Sequence, residues 1–505
     1  MSRAITRLPW RSLGPRASSR ALLTSARVQF CPAVRTSYQA RYQSAQAQAA
    51  APNAPVQSTP SVPELINVKV NGREETFSPL HLRDACTCEW CVDQNTRQKE
   101  FDTAEIPPTL RATSVAVEKD GTVEVAWAND IDRPHGYGNG GKHVSRYTQE
   151  QLTKLTVPYK PKGDANVDFR YYWNSAIMEK KQAWYDYNEY INSKSTLYDF
   201  VRSLHRYGVA FITNIPEDPE SIRRLANRLG PLRNTFYGET WDVRSVPKAV
   251  NVAYTNKFLG FHMDLMYMRE APEYQLLHCM KNSFKGGESL FADTFAAAWK
   301  LYLTQPDLFW TLVDFPVHFG YDNHGHIYDY VRTTIELVPG AEKKRGTEDG
   351  LKIGDIRYVN YSPPFQQPFY RYAADDSQAT NFHADLGAYN VAVHEFATIL
   401  NDPSMIFQLK LRPGDCVVFH NRRAVHARNA FDLTAPEGEA QQKSATPAER
   451  WLRGTYVDGD PVASIMRVSQ REEIDKWKAD GDLPVAETWT REKGDPVEEG
   501  LRRLK

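Results

Sequence analysis

Gly260-Phe261-His262-Met263-Asp264-Leu265-Met266-Tyr267 places an imidazole and a carboxylate two residues apart within an apolar run. In an extended chain, residues i and i+2 face the same side. His262 and Asp264 can therefore address one point in space. A third ligand would complete a two-histidine, one-carboxylate facial triad, which leaves three cis positions of octahedral iron(II) open. Alone, His-x-Asp is most simply a hydrogen-bonded pair on a strand, so its meaning depends on the surrounding chain.

Upstream, residues 195–207 carry apolar side chains at helical spacing (Leu197, Phe200, Val201, Leu204), with Ser195 as the expected N-cap and Gly208 as the stop. Val209–Thr213 reads as a short strand, and residues 218–229 as a second helix ending at Gly230. Downstream, residues 274–280 form a buried-strand run, 285–288 a turn and 289–291 another strand. Helices are expected over 295–303 and 387–400, with strands of uncertain bounds between. Residues 411–415 form a turn before a strand at 416–419, and 450–456 has strand character. Many short strands with Gly/Pro turns and few helices predict a mainly β domain, sandwich or barrel, with helices packed outside. The carboxy-terminal third also offers the missing ligand, from His420 or His426.

A second cluster precedes this domain. In Leu82-Arg83-Asp84-Ala85-Cys86-Thr87-Cys88-Glu89-Trp90-Cys91, three of the six cysteines fall within six residues. In a reducing compartment such crowding points to metal before disulfide. Three thiolates from one turn need one more ligand for tetrahedral zinc. His143 is the candidate, and His135 the alternative. A site closed by four protein ligands is structural. A strand over 65–70, a hairpin turn at Asn71-Gly72 and a strand over 122–127 surround the cluster. Cys279 and Cys416 sit in apolar runs and read as core, and Cys31 lies in the leader.

The first 63 residues contain no Asp or Glu but carry Arg3, Arg7, Arg11, Arg16, Arg20, Arg27, Arg35 and Arg41. Arg-rich, Ser-rich and acid-free composition marks a mitochondrial transit peptide, which places the protein in the matrix. A Pro/Ala/Gln-rich linker follows. The whole chain balances 62 basic against 62 acidic residues, so removing the leader leaves a net negative charge. That argues against a nucleic-acid partner. No apolar run reaches membrane-spanning length. The expected organisation is leader and linker 1–63, zinc-binding α+β domain 64–150, connector 151–194, a mainly β domain with the His/Asp/His metal site over 195–470 and a helical tail 471–505.

The Cys-x-Cys-x2-Cys domain, Tyr-Gly-x-Thr-Trp, Asn-Val-Ala-Tyr-Thr, His-x-Asp, Leu-His-Cys, Gly-Gly-x-Ser and the distal His-x-Arg occur in one order. In this the chain resembles the γ-butyrobetaine dioxygenase and trimethyllysine dioxygenase family of 2-oxoglutarate-dependent oxygenases, over roughly residues 64–470. The resemblance implies a double-stranded β-helix, or jelly roll, behind a small zinc-binding domain. It implies His262, Asp264 and His426 as Fe(II) ligands, and Arg450 as the grip on the distal carboxylate of 2-oxoglutarate, with Arg453 nearby. A planar guanidinium suits that role because it offers a bidentate fork. Tyr237, Trp241, Tyr254 and Tyr456 match an aromatic cage for a trimethylammonium group, which cannot donate an N–H hydrogen bond but is attracted to ring faces. Asn251 matches a polar residue near the substrate. Asn360 stands where relatives place substrate-holding asparagines, Leu265 where some carry a polar or aromatic residue, and Ala427 replaces a common glycine. The implied reaction is hydroxylation of γ-butyrobetaine to carnitine, with succinate and carbon dioxide as co-products and ascorbate as reductant. Trimethyllysine, or another small carboxylate or sulfonate, is the alternative substrate. The partner is thus a small molecule, and a homodimer is compatible with the resemblance. A zinc hydrolase using the same triad would leave Arg450 and the cage unexplained. A non-enzymatic metal-binding protein would not need both triad and cage.

Overall fold

The computed structural model describes residues 64–131, 143–157, 170–244, 256–369, 382–436 and 450–480. The chain divides into two compact units, Met1–Tyr159 and Lys160–Lys505. The leader, His135, the glycine-rich loop of residues 136–141, Asn251 and Tyr254 lie outside the described residues. No helix among the described residues is long and apolar enough to cross a membrane.

In the first unit, β1 (Ile66–Val70) and β2 (Arg73–Phe77) pair antiparallel with Val70 opposite Arg73. The two turn residues, Asn71 and Gly72, have φ of 46° and 84°. Positive φ at both centres is what a tight hairpin that follows strand twist requires. The helix Pro79–Asp84, capped by the Ser78 side chain, delivers the cysteine turn. A second sheet, β3 (Ala112–Val117), β4 (Val123–Trp127) and β5 (Val144–Tyr147), carries Val123, Val125, Trp127 and Tyr147 into one core with Ile66, Val68 and Leu82. The helix Gln149–Thr156 opens on a Thr148/Gln151 capping box.

The strands of the second unit are, in chain order, β6 (Trp184–Asp186), β7 (Val209–Thr213), β8 (Thr240–Arg244), β9 (Leu259–His262), β10 (Tyr274–Asn282), β11 (Phe284–Gly286) and β12 (Ser289–Asp293). There follow β13 (Pro316–Asn323), β14 (His326–Thr333), β15 (Ile335–Leu337), β16 (Ile356–Val359) and β17 (Phe407–Leu409). The last are β18 (Cys416–His420), β19 (Ala424–Arg428), β20 (Phe431–Pro436) and β21 (Arg450–Val457). A six-stranded sheet has the order β6-β7-β18-β10-β21-β8, antiparallel except for the β6–β7 edge, and a four-stranded sheet runs β17-β12-β19-β9. Their facing sides share a core of Phe211, Leu277, Cys279, Val417, Phe419 and Leu452 against Phe291, Phe407 and Ala424. The outer face of the six-stranded sheet packs on the helices Lys194–Tyr207, Ser221–Leu229 and Gly459–Asp480. The four-stranded sheet is backed by Thr294–Thr304, Pro306–Asp314 and Phe382–Leu400. Cys279 and Cys416 are core residues, and burial pushes the Cys279 thiol up to about 12.

Several expectations are corrected. Ser193, not Ser195, caps the helix Lys194–Tyr207, accepting from the Thr196 amide. The second helix begins at Ser221. The connector expected over 151–194 is no separate body. Residues 151–156 belong to the helix Gln149–Thr156 of the first unit, and 170–194 are built into the second. There β6 pairs parallel with β7, and Trp173 is fully buried. Arg423 is the physical reason: it donates to Tyr171 O at 2.5 Å and pairs at 2.8 Å with Asp293, which also accepts from the Trp173 amide at 3.1 Å. The tail boundary at residue 471 falls inside the continuous helix Gly459–Asp480.

Candidate active site

β9 ends at His262, so Asp264 is not a strand residue as its sequence suggests. Met263 leaves the strand, and Leu265 takes a left-handed φ of 60°. Asn421, fully buried just after β18, holds this bend. Its Oδ1 accepts the Asp264 amide at 2.8 Å, and its Nδ2 donates to Asp264 O at 2.9 Å and Pro272 O at 3.0 Å. His426 on β19 is the register partner of His262 on β9. Strand pairing thus supplies the two imidazoles, and the bend supplies the carboxylate.

The three candidate ligand atoms lie within 4.8 Å of one another. His262 Nδ1 bonds Gly260 O at 2.8 Å, which leaves Nε2 facing Asp264 Oδ1 at 3.5 Å. Asp264 Oδ2 accepts the Tyr456 hydroxyl at 2.8 Å, which leaves Oδ1 toward the imidazoles. Burial, with His262 alongside, pulls His426 down to about 3, so its ring is neutral and keeps a lone pair. Two imidazoles and one carboxylate with an oxygen to spare suit a divalent iron. His420 is not part of this group. It ends β18 with Nδ1 accepting the Arg422 amide at 3.2 Å and Nε2 3.7 Å from Glu273.

A cavity of about 70 Å³ opens from the triad, lined among others by Trp241, Gln275, Ser289, Arg428 and Arg450. On β21, alternation sends Arg450, Leu452, Gly454 and Tyr456 to one face and Arg453 to the other. Arg453 is accordingly taken by Asp242, at 2.9 and 3.0 Å. Arg450 is buried beside the Phe431 ring, and its Nε has no hydrogen-bond partner among the described residues. Burial pulls its guanidinium down to about 10. An unmatched buried cation costs free energy unless an anion meets it. Gly287 makes the room, since a Cβ there would lie 3.2 Å from Arg450 Nε. Arg428, also lowered to about 10 by burial and by Arg450, adds a second guanidinium. Arg428, Gln275 and Ser289 were not among the sequence candidates. The distal His-x-Arg motif contained Arg428, and alternation along β10 would have placed Gln275 on the face of Leu277.

Of the aromatic candidates, Trp241 and Tyr456 meet with ring centroids 5.3 Å apart. Gly454 permits this, because a Cβ there would fall 2.3 Å from the Trp241 ring. Burial and the neighbouring Asp264 raise the Tyr456 phenol well above its ordinary value, so it remains a donor. Tyr237 packs on Phe236 and is close enough to raise the Tyr267 phenol further. Behind them the β13–β14 hairpin adds Tyr321 and Tyr328, both against Phe236 and Tyr267. Asn360 does not reach this cavity. It donates to Thr333 O and Glu336 and accepts from Arg422 at 2.8 Å, so its amide is fully used elsewhere.

In the first unit, Cys86, Cys88 and Cys91 Sγ each lie 3.4 Å from His143 Nε2. Tetrahedral zinc with Zn–S of ~2.3 Å and Zn–N of ~2.0 Å would set that separation at about 3.5 Å. His143 Nδ1 is 2.7 Å from Asp130, and Arg83 holds both Asp130 oxygens at 2.6 and 2.8 Å. This carboxylate support fixes the imidazole orientation as it does around bound metals. Neither Asp130 nor Arg83 stood out in the sequence, since nothing local marks an arginine that becomes fully buried.

Residues 178–456 match the family model described as "Taurine catabolism dioxygenase TauD, TfdA family". The chain belongs to this family and is a 2-oxoglutarate-dependent dioxygenase that depends on Fe(II). It is 34% identical over 396 residues to "Dioxygenase str8" of Strobilurus tenacellus, covering 77% of this chain and 84% of that one. It is 28% identical over 404 residues to "Gamma-butyrobetaine dioxygenase" of Pseudomonas sp. (strain AK-1), covering 79% and 92%. "Trimethyllysine dioxygenase, mitochondrial" of Rattus norvegicus is 26% identical over 398 residues, covering 78% and 82%.

Proposed function

We propose that this dioxygenase hydroxylates γ-butyrobetaine to carnitine in mitochondria, from a jelly-roll catalytic unit preceded by a zinc-stabilised unit. The observation that carries the reading is Tyr456. Its ring faces Trp241, while its hydroxyl holds the carboxylate of Asp264. An aromatic wall that attracts a cation therefore joins the metal-binding carboxylate through one side chain.

His262, Asp264 and His426 hold Fe(II), which when bound supplies activation of dioxygen while 2-oxoglutarate is converted to succinate and carbon dioxide. Arg450 grips the distal carboxylate of 2-oxoglutarate and fixes its orientation toward the triad. Trp241, Tyr237, Tyr456 and Tyr254 hold the trimethylammonium head, and Asn251 meets the substrate carboxylate. The residues act by positioning one C–H bond, not by acid–base chemistry. Ascorbate serves to keep the iron reduced. Cys86, Cys88, Cys91 and His143 hold zinc as a closed structural site.

The test is mass spectrometry of products from a panel of γ-butyrobetaine, trimethyllysine, a neutral tert-butyl isostere and a sulfonate, with iron and 2-oxoglutarate supplied. Fastest conversion of γ-butyrobetaine to a product 16 mass units heavier (about one oxygen atom) is expected from the C–H to C–OH change. Turnover of trimethyllysine alone would move the assignment to the other named relative. Preference for the neutral compound would remove the cage from the account.

A further inference from the structure

His420, unused at the metal, opens onto a second cavity of about 430 Å³ within the same unit. The tripeptide His420-Asn421-Arg422 separates the two sites. Asn421 turns toward Asp264, while His420 and Arg422 line the cavity on the other side. This lining carries five arginines against three carboxylates. Some of the charge is matched: Arg423 pairs with Asp293 at 2.8 Å, and Glu273 lies 3.7 Å from His420.

Arg422 and Arg357 are matched less completely: Arg422 donates to Glu336 at 3.1 Å and to Asn360 at 2.8 Å through one nitrogen, Nη2. Arg422 is only 4% exposed, and its Nε has no hydrogen-bond partner among the described residues. Its ion-pair partner, Glu336 at 3.1 Å, is shared with Arg332 at 3.7 Å, and the field of Glu273 offsets part of its charge as well. Arg357 forms no ion pair among the described residues, and its guanidinium lies 5.0 Å from the Tyr358 ring that Arg422 approaches to 4.1 Å. Burial lowers the Arg422 guanidinium below its ordinary value, and Arg357 pushes it the same way. Two like charges gathered on one ring, one of them buried, cost free energy unless an anion meets them. An anion placed between them would offset that cost through the two guanidinium charges.

We infer that this cavity binds a small oxyanion, a carboxylate or a phosphate, between Arg357 and Arg422. The site is distinct from the cavity of Arg450, and the inference does not depend on which substrate the enzyme hydroxylates.

The test titrates the full-length, iron-free protein by calorimetry with inorganic phosphate and, separately, with malonate, at constant ionic strength set by chloride. Three proteins are compared: wild type, Arg357→Ala and Arg450→Ala. Arg357 is exposed, so its removal leaves the buried Arg422 network in place. Saturable binding of one anion per chain is expected in wild type, weakened about tenfold in Arg357→Ala, as for loss of one charged hydrogen bond. Arg450→Ala should leave that binding unchanged. The tighter of the two probes identifies the source as a phosphate or a carboxylate. Absence of saturable binding overturns the proposal. So does binding that survives Arg357→Ala undiminished, or that disappears with Arg450→Ala, since the anion would then occupy the co-substrate cavity.

Discussion

The two ligand clusters of this chain differ in what their atoms have left to do. Around His143 every valence is spoken for: three thiols surround Nε2, Asp130 takes Nδ1 and Arg83 takes Asp130. Around His262 the set is incomplete by construction. Three donors converge, one oxygen of Asp264 is held back by Tyr456, and the adjoining cavity is lined by a buried guanidinium, that of Arg450, whose Nε has no hydrogen-bond partner among the described residues. A closed tetrahedral set can only contribute stability, whereas an open facial set can accept co-substrate and dioxygen. Supporting groups differ accordingly. Charged partners lock the first cluster, while a neutral amide, Asn421, shapes the backbone of the second without consuming a ligand atom.

The largest expected effects come from breaking each cluster in turn. Cys86→Ser should release zinc and unfold the first unit, because zinc binding of ~10–16 kcal/mol exceeds what a small core supplies by itself. Metal analysis with circular dichroism would check this, and a folded, zinc-free variant would remove the structural role. Asp264→Ala should abolish hydroxylation while leaving zinc content and the fold of the first unit intact. After mild chelation of the wild type, zinc should be retained and activity restored by iron alone. Recovery with zinc alone would mean that the open site is not an iron site.

A smaller effect tests the openness of the second cluster. Arg450→Ala removes one charged, bidentate contact, worth ~1.5–3 kcal/mol per hydrogen bond to a charged group. The 2-oxoglutarate concentration for half-maximal rate should rise by at least about tenfold, with substrate affinity nearly unchanged. Steady-state kinetics with each component varied separately would decide it. Arg453 is no fallback, since Asp242 already holds it on the opposite face of β21.

Local rules carried the reading where the structure is local. Alternation along β21 aligns Arg450 with Tyr456 and sends Arg453 away, and the Asn71-Gly72 pair specifies its hairpin. The three cysteines needed only one distant partner, and the hydrogen-bonded strands brought it. What escaped depends on partners far along the chain. Asn421 clamps Asp264 across 157 positions, and Arg423 reaches Asp293 across 130 and Tyr171 across 252. No periodicity announces such contacts, so the sequence reads as strand through Asp264, past the end of β9 at His262, and as connector over 151–194, part of which is built into the second unit. His420 illustrates the same limit. It sits six residues before His426, yet the turn after β18 sends it to the opposite side of Asn421.

The smallest expected effect is also the one that separates the two roles of the aromatic wall. Tyr456→Phe keeps the ring against Trp241 but removes the hydroxyl that holds Asp264 Oδ2. It should weaken iron binding and change little in the choice between a trimethylammonium head and its neutral tert-butyl isostere. Trp241→Leu does the reverse: it keeps an apolar wall and leaves the Tyr456–Asp264 bond in place, but removes the strongest quadrupole. Desolvation favours the neutral isostere, and cation–π attraction of ~0.5–2 kcal/mol per ring favours the cation. Losing one ring should narrow the preference for the cation by roughly two- to thirtyfold, while 2-oxoglutarate consumption without substrate persists. Competition between the two analogues, measured in wild type and both variants alongside iron affinity, gives four comparisons from one experiment. A variant pair in which both readouts move together would mean that the wall and the metal carboxylate act as one unit, and the separation drawn here would fail.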